Sequence, residues 1–118
     1  DHRDLHKEYR RQRQMCIRDS YFKKYNAGKS VYAEERFFHE ALRLYQVLDQ
    51  RLGESEYVSG AYSIADVAIW PWVSRFEWQG IDLADFANVK RWYEVIALRP
   101  AVQMGYDQPK YMNDIPKA

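Results

Sequence analysis

One cysteine, Cys16, stands alone in 118 residues. That excludes an intrachain disulfide framework and any metal site built on paired thiolates. Five glycines and four prolines are too few for a collagen-like or linker sequence. No apolar run approaches the roughly 18 residues a membrane-spanning helix needs. No apolar–polar alternation marks a strand. Neither sign of charge dominates, with 18 Lys and Arg against 17 Asp and Glu for a net of +1. A nucleic-acid binder usually carries a basic excess or stripe, so that class is disfavoured. Gly-rich phosphate loops, Cys-x-x-Cys pairs and Gly-x-Ser-x-Gly elbows are all missing from the sequence. No basic leader followed by an apolar stretch opens the chain. With the single thiol, this gives the expectation of a reducing, cytoplasmic setting and no membrane partner.

What is present is apolar and aromatic, at 47% and 16% of residues, which is enough for one packed core. The distribution is uneven. Residues 1–20 hold six Lys or Arg, four Asp or Glu and few apolar groups. Leu5 and Tyr9 make too thin a stripe to bury a helix. The run Gln14-Met15-Cys16-Ile17-Arg18-Asp19-Ser20 resembles translated sequencing-adapter text. Residues 1–20 are therefore expected to be a disordered or artefactual segment, residues 21–106 the domain, and residues 107–118 a tail without periodicity.

Helical spacing fills the domain. Phe38, Ala41, Tyr45, Leu48 and Leu52 step by three and four, which predicts a long helix over residues 32–52 with Gly53 as its stop. Val89, Trp92, Tyr93, Ile96 and Ala97 predict another, with Asn88 as its cap. Arg99-Pro100 marks a break, and Pro100 opens a short helix through Met104 that Gly105 closes.

Between them lies the most informative stretch, Tyr62-Ser63-Ile64-Ala65-Asp66-Val67. Ser63 and Asp66 stand at the spacing of a capping box, in which each side chain satisfies the other's amide. The helix that follows, through Trp70-Pro71-Trp72-Val73, is apolar nearly all round and is expected to be buried at the centre of the bundle. Pro71 removes the bond to the Val67 carbonyl and predicts a kink. Polar residues return at Ser74, Arg75 and Glu77, so the helix is expected over residues 63–77, with Gly80 ending the element. The fold class is all-α, a bundle of about four helices with a kinked central helix after a Ser-x-x-Asp capping box.

The residues offer little chemistry of their own. His2 and His6 are four apart without a third ligand at helical spacing, so no metal site is expected. His39 sits four residues after Glu35 and reads as half of a surface ion pair. Cys16 beside Arg18 reads as a free surface thiol. Asp66 reads as a cap in preference to a catalytic carboxylate. Trp70, Trp72, Trp78 and Trp92 read mostly as core, with a gap beside the proline for a pocket.

The stretch Tyr62-Ser63-Ile64-Ala65-Asp66-Val67-Ala68-Ile69-Trp70-Pro71-Trp72-Val73 resembles the C-terminal helical domain of glutathione transferases. Tyr32-Ala33-Glu34-Glu35-Arg36-Phe37, Glu77-Trp78-Gln79-Gly80-Ile81-Asp82-Leu83 and Arg99-Pro100-Ala101-Val102 continue the likeness. It is strongest to the bacterial Nu-class and Ure2-like group. The resemblance implies a missing N-terminal thioredoxin-like domain that binds glutathione and activates its sulfur. It implies that the chain is a fragment of a homodimeric parent. That parent would conjugate apolar electrophiles with glutathione or reduce disulfides with it. The helical domain would supply pocket wall and dimer contacts, and the isolated chain no catalytic residue and no turnover. By the same resemblance, Trp72 and Phe76 would face the apolar substrate, and Tyr32 and Arg36 would help bind glutathione. The alternative is a non-catalytic protein–protein interaction module of the same fold.

Overall fold

The computed structural model describes residues 31–108 and 113–118. The expectations for residues 1–20, including His2, His6 and Cys16, lie outside them. Helix α1 is Val31–Glu54, α2 is Ile64–Val73, α3 is the single turn Phe76–Gln79, α4 is Ala87–Ala97 and α5 is Pro100–Tyr106. A 3-10 turn, Leu83–Asp85, joins α3 to α4. The described residues form no strand. Isolated bridges pair Tyr57 with Gly60 and Ser59 with Ala61, where Gly60 takes the φ of +97° that a side chain disfavours.

In α1, Ala41, Leu44, Tyr45, Leu48 and Leu52 are buried, and Phe38 packs on the core from its edge. The three–four spacing therefore reports the buried face correctly. The end of α1 differs from expectation, because the helix runs through Gly53 to Glu54. Gly53 does not need a left-handed backbone. A Cβ there would lie 3.1 Å from Asn88 Nδ2, so the glycine permits a close approach to the start of α4.

That approach lets α1 and α4 cap one another. Asp49 of α1 accepts from the amides of Asn88 and Val89 at 2.9 and 3.1 Å. In return Arg91 of α4 donates to the Leu52 carbonyl at 3.0 Å and reaches the Glu56 carbonyl at 3.3 Å. An anion thus sits at the N-terminus of one helix and a cation at the C-terminus of the other, the signs each helix dipole favours. Asn88 is consequently not the cap. Phe86 occupies the N-cap position with no side-chain bond, and the capping oxygen comes from another helix. Asp49→Ala is expected to cost about 1–2 kcal/mol, read as a lower urea midpoint. An unchanged midpoint would remove Asp49 from this role.

The central segment departs from one continuous helix. Pro71 lies inside α2, which stops at Val73. Without a proline N–H the Val67 carbonyl loses its helical donor. The exposed end is then tied off by side chains. The Ser74 hydroxyl donates to the Pro71 carbonyl at 2.7 Å, and Gln79 Nε2 donates to the Trp72 carbonyl at 3.1 Å. The buried Gln79 also accepts from the Tyr45 hydroxyl at 2.7 Å, which fastens α3 to α1. Gly80, at φ +70°, ends α3 as expected.

Nor is α2 buried all round. Ile69, Trp70 and Val73 face the core, whereas Ile64 is 81% exposed, Val67 54% exposed, and Pro71 is exposed. Helix α5 runs past Gly105 to Tyr106, whose ring meets the edge of Trp70. The described part of the tail is held on the surface rather than loose. Ile115 packs on the core, and the Tyr93 hydroxyl donates to the Pro116 carbonyl at 2.6 Å. Burial pushes the Tyr93 phenol well above its ordinary pKa.

Candidate functional site

The capping box sets where α2 begins and therefore which residues each face presents. The Ser63 amide donates to Asp66 Oδ2 at 3.0 Å, and the Ser63 hydroxyl closes the box while accepting from the Ala65 amide at 3.2 Å. Asp66 is completely buried and does more than the box requires. Its Oδ1 accepts from the Val58 amide at 3.2 Å and from Trp92 Nε1 at 2.7 Å. One carboxylate thus joins the 57–61 turn, the start of α2 and the middle of α4. All its bonds go to structural donors, which agrees with the capping role and leaves it no position for catalysis.

From this start, Val67, Trp70 and Pro71 fall on one face of α2, with Ser74 at its C-cap on the same side. Ala101, Val102, Gly105 and Tyr106 fall on the facing side of α5, and Ile96 of α4 closes the floor. Together they enclose a cavity of about 560 Å³, with Tyr62, Arg75, Gln108 and Asn113 at its margins. That volume lies within the roughly 300–1,000 Å³ usual for small-molecule sites. Trp70 is fixed by stacking on Tyr93, with centroids 5.2 Å apart, and by donating Nε1 to the Tyr93 carbonyl at 3.1 Å. The Arg99 guanidinium lies 3.7 Å over the Tyr62 ring, and that of Arg75 lies 4.5 Å over the Trp78 ring. The Tyr106 hydroxyl is buried without a hydrogen-bond partner among the described residues.

The four residues singled out by resemblance do not line this cavity. Tyr32 is 72% exposed and Arg36 is exposed, both near the start of α1. Trp72 is half-buried on another face of α2. Phe76 is buried edge-to-face against Tyr93, with centroids 5.8 Å apart. The cavity residues of α2 do carry a signal, the spacing 67, 70, 71, 74. It was hidden because apolar residues occupy the other faces of the same helix.

Among the described residues no group of three or more His, Cys, Asp or Glu is placed to hold a metal, and no helix is long and apolar enough to cross a membrane. On α1, Glu40 pairs with Arg43 at 2.6 Å, and the arginine's hydrogen bonds hold the Glu40 carboxyl below its usual pKa. His39 is exposed, with its ring 6.0 Å from that of Phe38.

No family model matches the chain. Known proteins do. The Escherichia coli disulfide-bond oxidoreductase YfcG is 52% identical over 71 residues, covering 59% of this chain and 33% of that protein. The Escherichia coli disulfide-bond oxidoreductase YghU is 39% identical over 93 residues, covering 72% of this chain and 32% of that protein. The chain thus spans about a third of the length of these curated relatives. Among solved structures, a glutathione transferase from Burkholderia graminis superimposes with a TM-score of 0.76 at 31% identity, over 91% of this chain and 50% of that one. That crystal structure holds two glutathione molecules per subunit. In sequence and in its all-helical architecture, the chain belongs to the glutathione transferase family and has the fold of that family's C-terminal helical domain.

Proposed function

We propose that the chain is the helical half of a glutathione-dependent enzyme that reduces disulfides or conjugates apolar electrophiles. The observation that carries this reading is the open apolar stripe Ile64, Val67, Pro71 on the otherwise core-forming helix α2. An apolar stripe beside a cavity is the surface expected where a second domain packs. In the complete protein a thioredoxin-like domain covers this face, binds glutathione and stabilises the thiolate, the nucleophile in either reaction. The helical half contributes pocket wall and homodimer contacts. Tyr32 and Arg36, exposed at the start of α1, reach glutathione. Trp72 meets the apolar substrate, and Phe76 supports it from the core. The protein works in the cytoplasm and uses no metal. The names of the two Escherichia coli relatives and the glutathione in the Burkholderia structure support this reading.

Sulfur activation is assigned to the other half, so the purified chain is expected to show only the uncatalysed rate. Glutathione-dependent reduction of 2-hydroxyethyl disulfide and conjugation of 1-chloro-2,4-dinitrobenzene measure this. Turnover above background in the chain alone would contradict the assignment.

A further inference from the structure

We infer that residues 113–118 form a releasable strap against α4, latched at the Tyr93 hydroxyl, and that this latch sets how firmly Trp70 is held on α2. The strap is anchored at its middle. Ile115 and Pro116 are half-buried, whereas Asn113 and Asp114 before them and Lys117 and Ala118 after them are exposed. The Ile115 side chain packs on the core, and the Pro116 carbonyl accepts from the Tyr93 hydroxyl at 2.6 Å. Residues 113–118 lie outside helix and strand. A segment fastened through side chains, with no helical ladder of its own, opens at a lower free energy than the helices beneath it.

Tyr93 carries the state of the strap inward. Its hydroxyl holds Pro116, its ring stacks on Trp70 at an interplanar angle of 11°, and its carbonyl accepts from Trp70 Nε1 at 3.1 Å. Phe76 meets the same ring edge-on, at 83°. Stacked rings can slide over one another at little cost, and a hydrogen bond at the far end of the Tyr93 ring removes that freedom. Burial keeps the phenol protonated, so the hydroxyl remains a donor. Trp70 in turn stands between Val67 and Pro71 on α2, so a loosened stack loosens the face on which the second domain is proposed to pack. That last consequence rests on the proposed function; the strap and its coupling to Trp70 do not.

Nuclear magnetic resonance on the 118-residue chain tests both without any turnover, so failure here and failure of the enzymatic reading are separate results. The readouts are the Ile115 δ-methyl resonance and the hydrogen exchange of two indole N–H groups. Trp92 Nε1 donates to the buried Asp66 and reports opening of the whole bundle, whereas Trp70 Nε1 reports the stack. Tyr93→Phe keeps the ring and removes the hydroxyl, and Ile115→Ala removes the other anchor. In Tyr93→Phe the Ile115 methyl is expected to move to its random-coil position. In both variants exchange at Trp70 is expected to rise at least about tenfold, with Trp92 changed less than about twofold. An Ile115 methyl unmoved by Tyr93→Phe would overturn the latch. Equal acceleration at the two indoles, or none at Trp70, would overturn the coupling, since the strap would then open only with the bundle or without effect on the stack.

Discussion

Replacing Asp66 by alanine is expected to remove about 3–5 kcal/mol of stability, a large fraction of the roughly 5–15 kcal/mol a domain has. The carboxylate is fully buried and accepts from two backbone amides and an indole. Alanine leaves the Val58 amide, the Ser63 amide and Trp92 Nε1 without their acceptor. Each buried donor left unpaired costs about 1–3 kcal/mol. A cap on a solvent-exposed helix end would cost only about 1 kcal/mol, so the size of the loss separates the two descriptions. Asp66→Asn keeps one acceptor oxygen but turns an amide N–H₂ towards a donor, and should fall between alanine and the native protein. Trp92→Phe removes the indole donor while the carboxylate keeps its backbone bonds, and should cost less than Asp66→Ala. Urea unfolding measures all three. A midpoint for Asp66→Ala within about 1 kcal/mol of the native protein would show that the buried bonds contribute little.

These residues also show where the sequence was legible and where it was not. Ser63 and Asp66 are three residues apart, so local spacing alone predicts the box. The bonds from Asp66 to Val58 and Trp92 cross eight and 26 positions, and no local pattern encodes them. The same holds for the start of α4. Asn88 is a good cap by residue type, yet Asp49, 39 residues earlier, supplies the oxygen to its amide. Gly53 is conspicuous in sequence as a helix stop, yet it serves the close approach to Asn88, which depends on tertiary packing. Periodicity located the buried face of α1, where polar residues mark the other side. It failed on α2, where apolar residues on every face conceal that Ile64, Val67 and Pro71 open outward. For that reason the sequence shows the cavity beside α2 only as a gap near the proline. The residues carried over by family likeness, Tyr32, Arg36, Trp72 and Phe76, lie elsewhere.

Exchanging the matching 71 residues of YfcG for those of this chain, at 52% identity, is expected to leave an active protein. If α2 presents its apolar stripe to the rest of such an enzyme, the stripe must work in that setting. Placing carboxylates at Ile64 and Val67 would bury two charges in an apolar contact, at a cost of several kcal/mol. Both positions are exposed in the isolated chain, so Ile64→Asp with Val67→Asp should leave its own melting midpoint nearly unchanged. In the chimera the same pair should lower glutathione-dependent disulfide reduction at least tenfold. The most direct test of the helical-half assignment is the rate of the unaltered chimera. A rate within about tenfold of the parent oxidoreductase, against background for the 118-residue chain alone, is the expected result. A chimera with native helical content and only the background rate would contradict it.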